Sequence, residues 1–155
     1  MRPDLDELLG ALRGSRRADL LRLVKDAGLD AEPPAPEPEV VEPYRWFLAR
    51  IRDGVKLTGA GYLPPSVVLE IMQALGWDAD WIGKGNREDI TRPVAELRDT
   101  ARRLGLVRVH RNELRPTTVG RRLVDDPIGL WRHIVGRLPL SRTEPERIAG
   151  LLWLL

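Results

Sequence analysis

Eight consecutive residues, Glu32-Pro33-Pro34-Ala35-Pro36-Glu37-Pro38-Glu39, hold four prolines and three carboxylates. Proline fixes φ and removes the amide donor that helices and sheet ladders need, and the carboxylates hold the run in water. Such a run cannot pack a core. It predicts a stiff, extended linker over residues 32–42, closed by Pro43. The chain is thereby divided into an N-terminal piece of short helices at 1–31, the linker at 32–42, a main domain at 43–140 and an apolar helix at 141–155. The 155 residues provide about one domain's worth of chain.

Composition narrows the chemistry. There is no cysteine, which excludes a disulfide framework, thiolate metal sites and cysteine nucleophiles. Two histidines, His110 and His133, argue against a multi-histidine metal site, and no cofactor is expected. Ser15, Ser66 and Ser141 have no local nucleophile motif, and no carboxylate pair is singled out by spacing. The expectation is therefore a non-enzymatic protein with no catalytic residue, no metal and no small-molecule substrate. The longest mainly apolar run, Ile148 to Leu155, is too short to cross a bilayer. Met1-Arg2-Pro3-Asp4 lacks the order of a signal peptide, so a cytoplasmic location is expected.

The net charge of +2 hides an asymmetry. Residues 1–43 hold 6 basic and 10 acidic side chains, net −4, whereas residues 84–122 hold 11 and 5, net +6. A basic block of that kind suits a polyanion, because bound lysine and arginine release counterions from phosphate. It is equally what a GC-rich bacterial genome produces when arginine serves as the ordinary surface residue, and 22 Arg to 3 Lys fits that origin.

Spacing predicts the elements. Leu5, Leu8, Leu9 and Leu12, then Leu20, Leu21, Leu23 and Val24, mark two short helices ended by Gly14 and Gly28. Tyr44, Phe47, Leu48 and Ile51 line one helical face, and Val55 to Thr58 alternates as a short strand. Pro64-Pro65 opens a helix that buries Val67, Val68, Ile71, Met72 and Leu75. A loop follows from Trp77 to Ile90. Thr91 is placed to cap a helix burying Val94, Leu97, Ala101 and Leu104, with Gly105 at its end. Leu106 to His110 and Glu113 to Thr117 read as strands about an Arg111-Asn112 turn. Thr118 caps a short helix, Asp126-Pro127 starts another that turns Ile128, Trp131, Val135 and Leu138 inward, and Thr143 with Glu146 forms a capping box.

From residue 43 the order helix, strand, helix, helix, strand, turn, strand is that of a winged helix: a mainly α fold with a small antiparallel sheet, a helix-turn-helix and a hairpin wing. An isolated three-helix bundle with the hairpin packed elsewhere is the alternative. The helix at 91–105 would then enter a major groove. Arg92, Arg98, Arg102 and Arg103 on that helix and Arg108, Arg111 and Arg115 on the wing are the candidate nucleic-acid contacts, with His110 beside Arg108. Glu96 and Asp99 share the helix's outer face, and they would repel phosphate or pair with those arginines.

Two features are decoys. Asp78 to Asp89 scans as a calcium loop, but Ile82 stands where an oxygen donor is needed. Gly83-Lys84-Gly85-Asn86 lacks P-loop spacing, leaving a turn that needs glycine or backbone amides that could meet phosphate. Trp46, Trp77, Trp81, Trp131 and Trp153 read as packing residues.

Val55-Lys56-Leu57-Thr58-Gly59-Ala60-Gly61-Tyr62-Leu63-Pro64-Pro65, Trp81-Ile82-Gly83-Lys84-Gly85-Asn86-Arg87-Glu88-Asp89, Leu104-Gly105-Leu106 and Asp125-Asp126-Pro127-Ile128-Gly129-Leu130-Trp131 resemble a group of uncharacterised bacterial proteins associated with a plasmid open-reading-frame family. The resemblance covers residues 43–140 and does not extend to 1–42. It implies a recurring unit and no particular activity. Two expectations follow from the residues: a module binding duplex DNA as a regulator, or a protein-interaction module that engages a partner or a second copy through the C-terminal helix. The acidic segment 1–42 would compete with phosphate for the basic face.

Overall fold

The computed structural model describes residues 9–11, 13–28 and 37–138. The chain forms two units, divided between Ala35 and Pro36. In the first, helix α1 spans Ser15–Asp26, and Gly28 beyond it takes a left-handed φ of 66° that glycine adopts without strain. The predicted helix at Leu5–Leu12 lies mostly outside the described residues, as do most of the proline run and the capping box at Thr143.

The second unit begins earlier than the sequence predicts. Pro38–Val41 forms a 3-10 turn whose Val41 is buried in the core, so the linker's last residues belong to the folded body. Helix α2 (Glu42–Arg50), strand β1 (Val55–Lys56), helix α3 (Pro65–Ala74), helix α4 (Arg92–Arg103), strands β2 (Val107–His110) and β3 (Glu113–Pro116), and helices α5 (Thr118–Leu123) and α6 (Pro127–Val135) follow. The architecture is mainly helical, with one three-stranded antiparallel sheet in the order β1-β3-β2.

One apolar core joins these elements. Phe47, Leu48 and Ile51 from α2 and the residue after it, Val68, Ile71 and Met72 from α3, and Val94, Ala101 and Leu104 from α4 and its C-cap are all buried. The inner face of the sheet contributes Val55, Val107 and Leu114. Trp46, Trp77, Trp81 and Trp131 pack against this core half-buried, as packing residues do; Trp153 lies outside the described residues.

The β2–β3 turn is made by Arg111 and Asn112, both with positive φ (50° and 59°). Such two-residue turns match the right-handed twist of their strands. Asn112 tolerates the conformation, and its side chain also donates to the Leu57 carbonyl at 3.0 Å while its own carbonyl accepts from the Leu57 amide at 2.8 Å. Those two bonds carry the β1–β3 pairing past Lys56, which is why two strand residues suffice where four were expected. Val109 should face inward by alternation, yet it is 46% exposed, because the end of the hairpin projects beyond the core.

Two caps differ from expectation. Thr117, not Thr118, caps α5, its hydroxyl accepting from the Gly120 amide at 3.1 Å. Thr91 is the residue ahead of α4, but its buried hydroxyl caps nothing. The reason is local: Pro93 has no amide hydrogen, and the Val94 amide is already bonded to the Thr91 carbonyl. Asp126 caps α6 as the sequence suggests, accepting from the Gly129 amide at 2.8 Å.

Gly120 is the tightest backbone contact in this unit. A Cβ there would collide with the Leu106 carbonyl oxygen and press on Leu48. Gly120→Ala should therefore destabilise the protein by about 1–3 kcal/mol, as overpacking does. Urea unfolding of the two proteins measures it, and an unchanged midpoint would contradict this packing.

Candidate nucleic-acid interface

The seven arginines singled out by sequence do not share one environment. Arg98 is withdrawn from the surface. Its guanidinium lies against both oxygens of Glu88 (2.8 and 2.7 Å) and donates to the Gly61 carbonyl at 2.9 Å. The two side chains are 16% and 6% exposed, and Glu88 also accepts from the Leu63 amide. Arg98 thus joins α4 to the β1–α3 loop and to the loop ahead of α4; it is a structural ion pair and has no free fork for phosphate. In the neighbouring loop, Asp89, the last acid of the calcium-like pattern, pairs with Arg87 at 2.6 Å. Among the described residues, no three His, Asp or Glu side chains gather as a metal site.

The outer face of α4 is internally neutralised. Arg92 meets Glu96 at 2.6 Å, one helical turn on, and Arg102 meets Asp99 at 3.6 Å. The hydrogen bond that Arg92 donates to Glu96, reinforced by the carboxylate's charge, raises the Arg92 pKa above its ordinary value. Both pairs are well exposed, so each contributes little to stability and can break when a stronger ligand competes. Arg103 is exposed at the C-terminal end of the helix, where a cation complements the helix dipole.

The hairpin is different. Arg115 on β3 bonds Glu113 through Nε and NH2 (2.8 and 2.6 Å) and covers Gly54, where a Cβ would sit 3.0 Å from its Nε. Arg108 stands opposite Arg115 across the ladder, exposed and with no carboxylate partner among the described residues. Arg111 at the tip is also exposed, and it too has no carboxylate partner among the described residues. His110 pairs in register with Glu113, which also stands opposite Lys56 of β1. The solvent side of the sheet therefore carries Lys56, Arg108, His110 and Arg115 around a single acid.

Charge counting along the chain agrees with this division. Residues 84–99 hold four basic and four acidic side chains, whereas residues 100–122 hold seven arginines and one acid, Glu113. The excess that sequence assigned to the whole block sits in its second half, on the end of α4, the hairpin and α5. Arg121 and Arg122 on α5 are exposed and add to it; sequence reasoning left them out because a short helix after a wing has no expected role in a groove.

His133 is structural. Its Nε2 lies 2.9 Å from the Leu104 carbonyl and its Nδ1 2.9 Å from Arg137. A carbonyl only accepts and a guanidinium only donates, so these partners fix the neutral ring with its proton on Nε2. Tyr44, half-buried, is held above its ordinary pKa of 10.0 mainly by burial, which a hydrogen bond to Thr100 offsets in part.

No helix among the described residues is long and apolar enough to cross a membrane. No family model, curated protein or solved structure matches this chain.

Removing one partner of the Glu88–Arg98 pair strands the other charge in the interior. Arg98→Ala should cost about 3–5 kcal/mol. Arg92→Ala, which breaks an exposed pair, should leave the unfolding midpoint essentially unchanged. Equilibrium unfolding of both variants checks the contrast, and similar losses in the two would refute the distinct roles given to these arginines.

Proposed function

We propose that residues 37–138 are a winged-helix module that binds duplex DNA through phosphate, led by the wing and not by base readout from α4. The helix, strand, helix, helix, strand, turn, strand order and the β1-β3-β2 sheet support the winged-helix reading. The observation that carries the ligand is Arg111. A non-glycine residue in the left-handed region costs about 1–2 kcal/mol, and here that strain holds an exposed arginine, with no carboxylate partner among the described residues, at the tip of the hairpin. Strain retained at an exposed position supports a role outside folding. Arg108, Lys56 and His110 on the outer sheet face extend the same cationic surface.

In this reading Arg92, Arg98, Arg102 and Arg115 leave the set of primary contacts, since each already has a carboxylate. Arg108 and Arg111 lead, with Arg121 and Arg122 as further candidates. Contacts of that type position a protein on the duplex and carry little sequence information. No catalytic step is assigned to any residue.

A second reading has its own support. The salt-bridged outer face of α4 suits a protein partner whose charges alternate in the same way, and it is poorly suited to a phosphate backbone.

Titration of duplex DNA at two salt concentrations separates the two. For three phosphate contacts, affinity should fall roughly 40-fold between 50 and 200 mM salt. Arg108→Ala should lower the logarithmic salt slope by about 1. Arg111→Gly should do the same while leaving stability unchanged or raised by up to about 1 kcal/mol, because glycine relieves the turn. No binding at low salt would overturn the DNA reading and leave the protein-docking one.

A further inference from the structure

The buried Glu88–Arg98 pair grips the backbone on either side of Tyr62. Arg98 donates to the Gly61 carbonyl at 2.9 Å, and Glu88 accepts from the Leu63 amide. The Thr58 hydroxyl accepts from the Tyr62 amide at 3.1 Å, and the Tyr62 carbonyl accepts from the Thr58 amide at 2.8 Å. Every backbone polar group from the Gly61 carbonyl to the Leu63 amide is thereby bonded. The side chain held in this way is left outside the core, because Tyr62 is 44% exposed. Its direction follows from register. Leu57 and Leu63 are buried, so Thr58 and Tyr62, the residues beside them, fall on the other side. Residues that stand opposite each other across an antiparallel turn share a face. Tyr62 therefore extends the solvent side of the sheet beyond Lys56 and Thr58. Its backbone lies one strand spacing, ~5 Å, from Thr58, which is two residues, ~7 Å, from Lys56. Asn112 in the hairpin turn bonds Leu57, so Arg111 stands at the same end of the sheet.

We propose that Tyr62 is a stacking platform for an unpaired base, and that the DNA taken by this surface is a duplex that continues into a single strand. The inference rests on the DNA reading above and names the form of DNA that it selects. Inside a duplex each base face is covered by its neighbours, and a protein meets only base edges. An aromatic ring on a phosphate-binding surface therefore finds a free base face only where pairing ends. Stacking accepts any base, which agrees with contacts that position phosphate and read little sequence. Charge selects a nucleic acid as the occupant. Lys56 and Arg108 share the face of Tyr62 and Arg111 stands at its end, and none of the three makes an ion pair among the described residues. Glu113, the acid nearest them in register, is held by Arg115 at 2.6 Å. Because the ion pair and the Thr58 turn already fix the backbone of Tyr62, little ordering is lost when a base docks.

Fluorescence anisotropy of labelled DNA with the full chain at low salt tests this. The probes are a blunt duplex, the same duplex with about four unpaired nucleotides at its 3′ or its 5′ end, and a blunt duplex longer by the same number of base pairs, which controls for added charge. At least one extension should raise affinity about tenfold over both blunt duplexes, the size of one stacked base. Tyr62→Ala should bind extended and blunt DNA alike. Tyr62→Phe keeps the ring face and should keep the preference. A 2-aminopurine base in the extension should be quenched by the unsubstituted protein and by Tyr62→Phe, and not by Tyr62→Ala. Circular dichroism of both variants should match that of the unsubstituted protein, since the bonds that hold residue 62 are made by its backbone. Equal affinity for blunt and extended DNA overturns the proposal and leaves the duplex reading standing. A preference that survives in Tyr62→Ala, or is lost in Tyr62→Phe, overturns it as well, because charge or the hydroxyl would then account for it. No binding of any of these DNAs at low salt overturns both readings.

Discussion

A carboxylate from the loop ahead of α4 and a guanidinium from inside that helix hold each other out of water. Glu88 and Arg98 meet through two short hydrogen bonds, Glu88 also accepts from the Leu63 amide, and Arg98 reaches on to the Gly61 carbonyl. The pair spans the longest connection in the domain. Without it, a loop from Trp77 to Ile90 containing two glycines and few apolar anchors would have little to set its course. Buried ion pairs contribute little net stability, because desolvation offsets their attraction. What this one supplies is register: it fixes how α4 is rotated and where the β1–α3 loop crosses it. The outward set on α4 follows from that rotation.

The same constraint redistributes charge. Once Arg98 is taken inward and Arg92 and Arg102 are paired along the helix, α4 presents an almost neutral outer face. Cationic character passes to the hairpin, which projects beyond the core and has one acid among its charged residues. In the proposed reading, a surface of that kind would hold a polyanion by its backbone and discriminate poorly between sequences. On and just after α6, Ile128, Val135 and Leu138 stay partly exposed where spacing turned them inward.

Much of the fold was legible in the residues. The period of Phe47, Leu48 and Ile51, of Val68, Ile71 and Met72, and of Val94, Leu97 and Ala101 gave helices whose limits fall within two residues of the observed ones, and the Arg111-Asn112 turn was placed correctly. Periodicity works there because one buried face dictates it. The caps at Thr91 and Thr118 turned on the immediate neighbours, a proline without an amide hydrogen and a hydroxyl one residue earlier, whereas the inward set on α6 depended on a core that covers only part of that helix. The candidate interface was less legible still, because a list of arginines does not say which of them already have a carboxylate.

The amino-acid sequence by itself determined which segments become helix or strand, where the proline run interrupts them and how much positive charge the second half of residues 84–122 must carry, since these depend on backbone chemistry and local spacing. Only the tertiary structure decided where that charge is free. Glu88 is ten residues from Arg98 in sequence and within 3 Å of it in space, and an ion pair depends on distance and burial, which spacing along the chain does not specify.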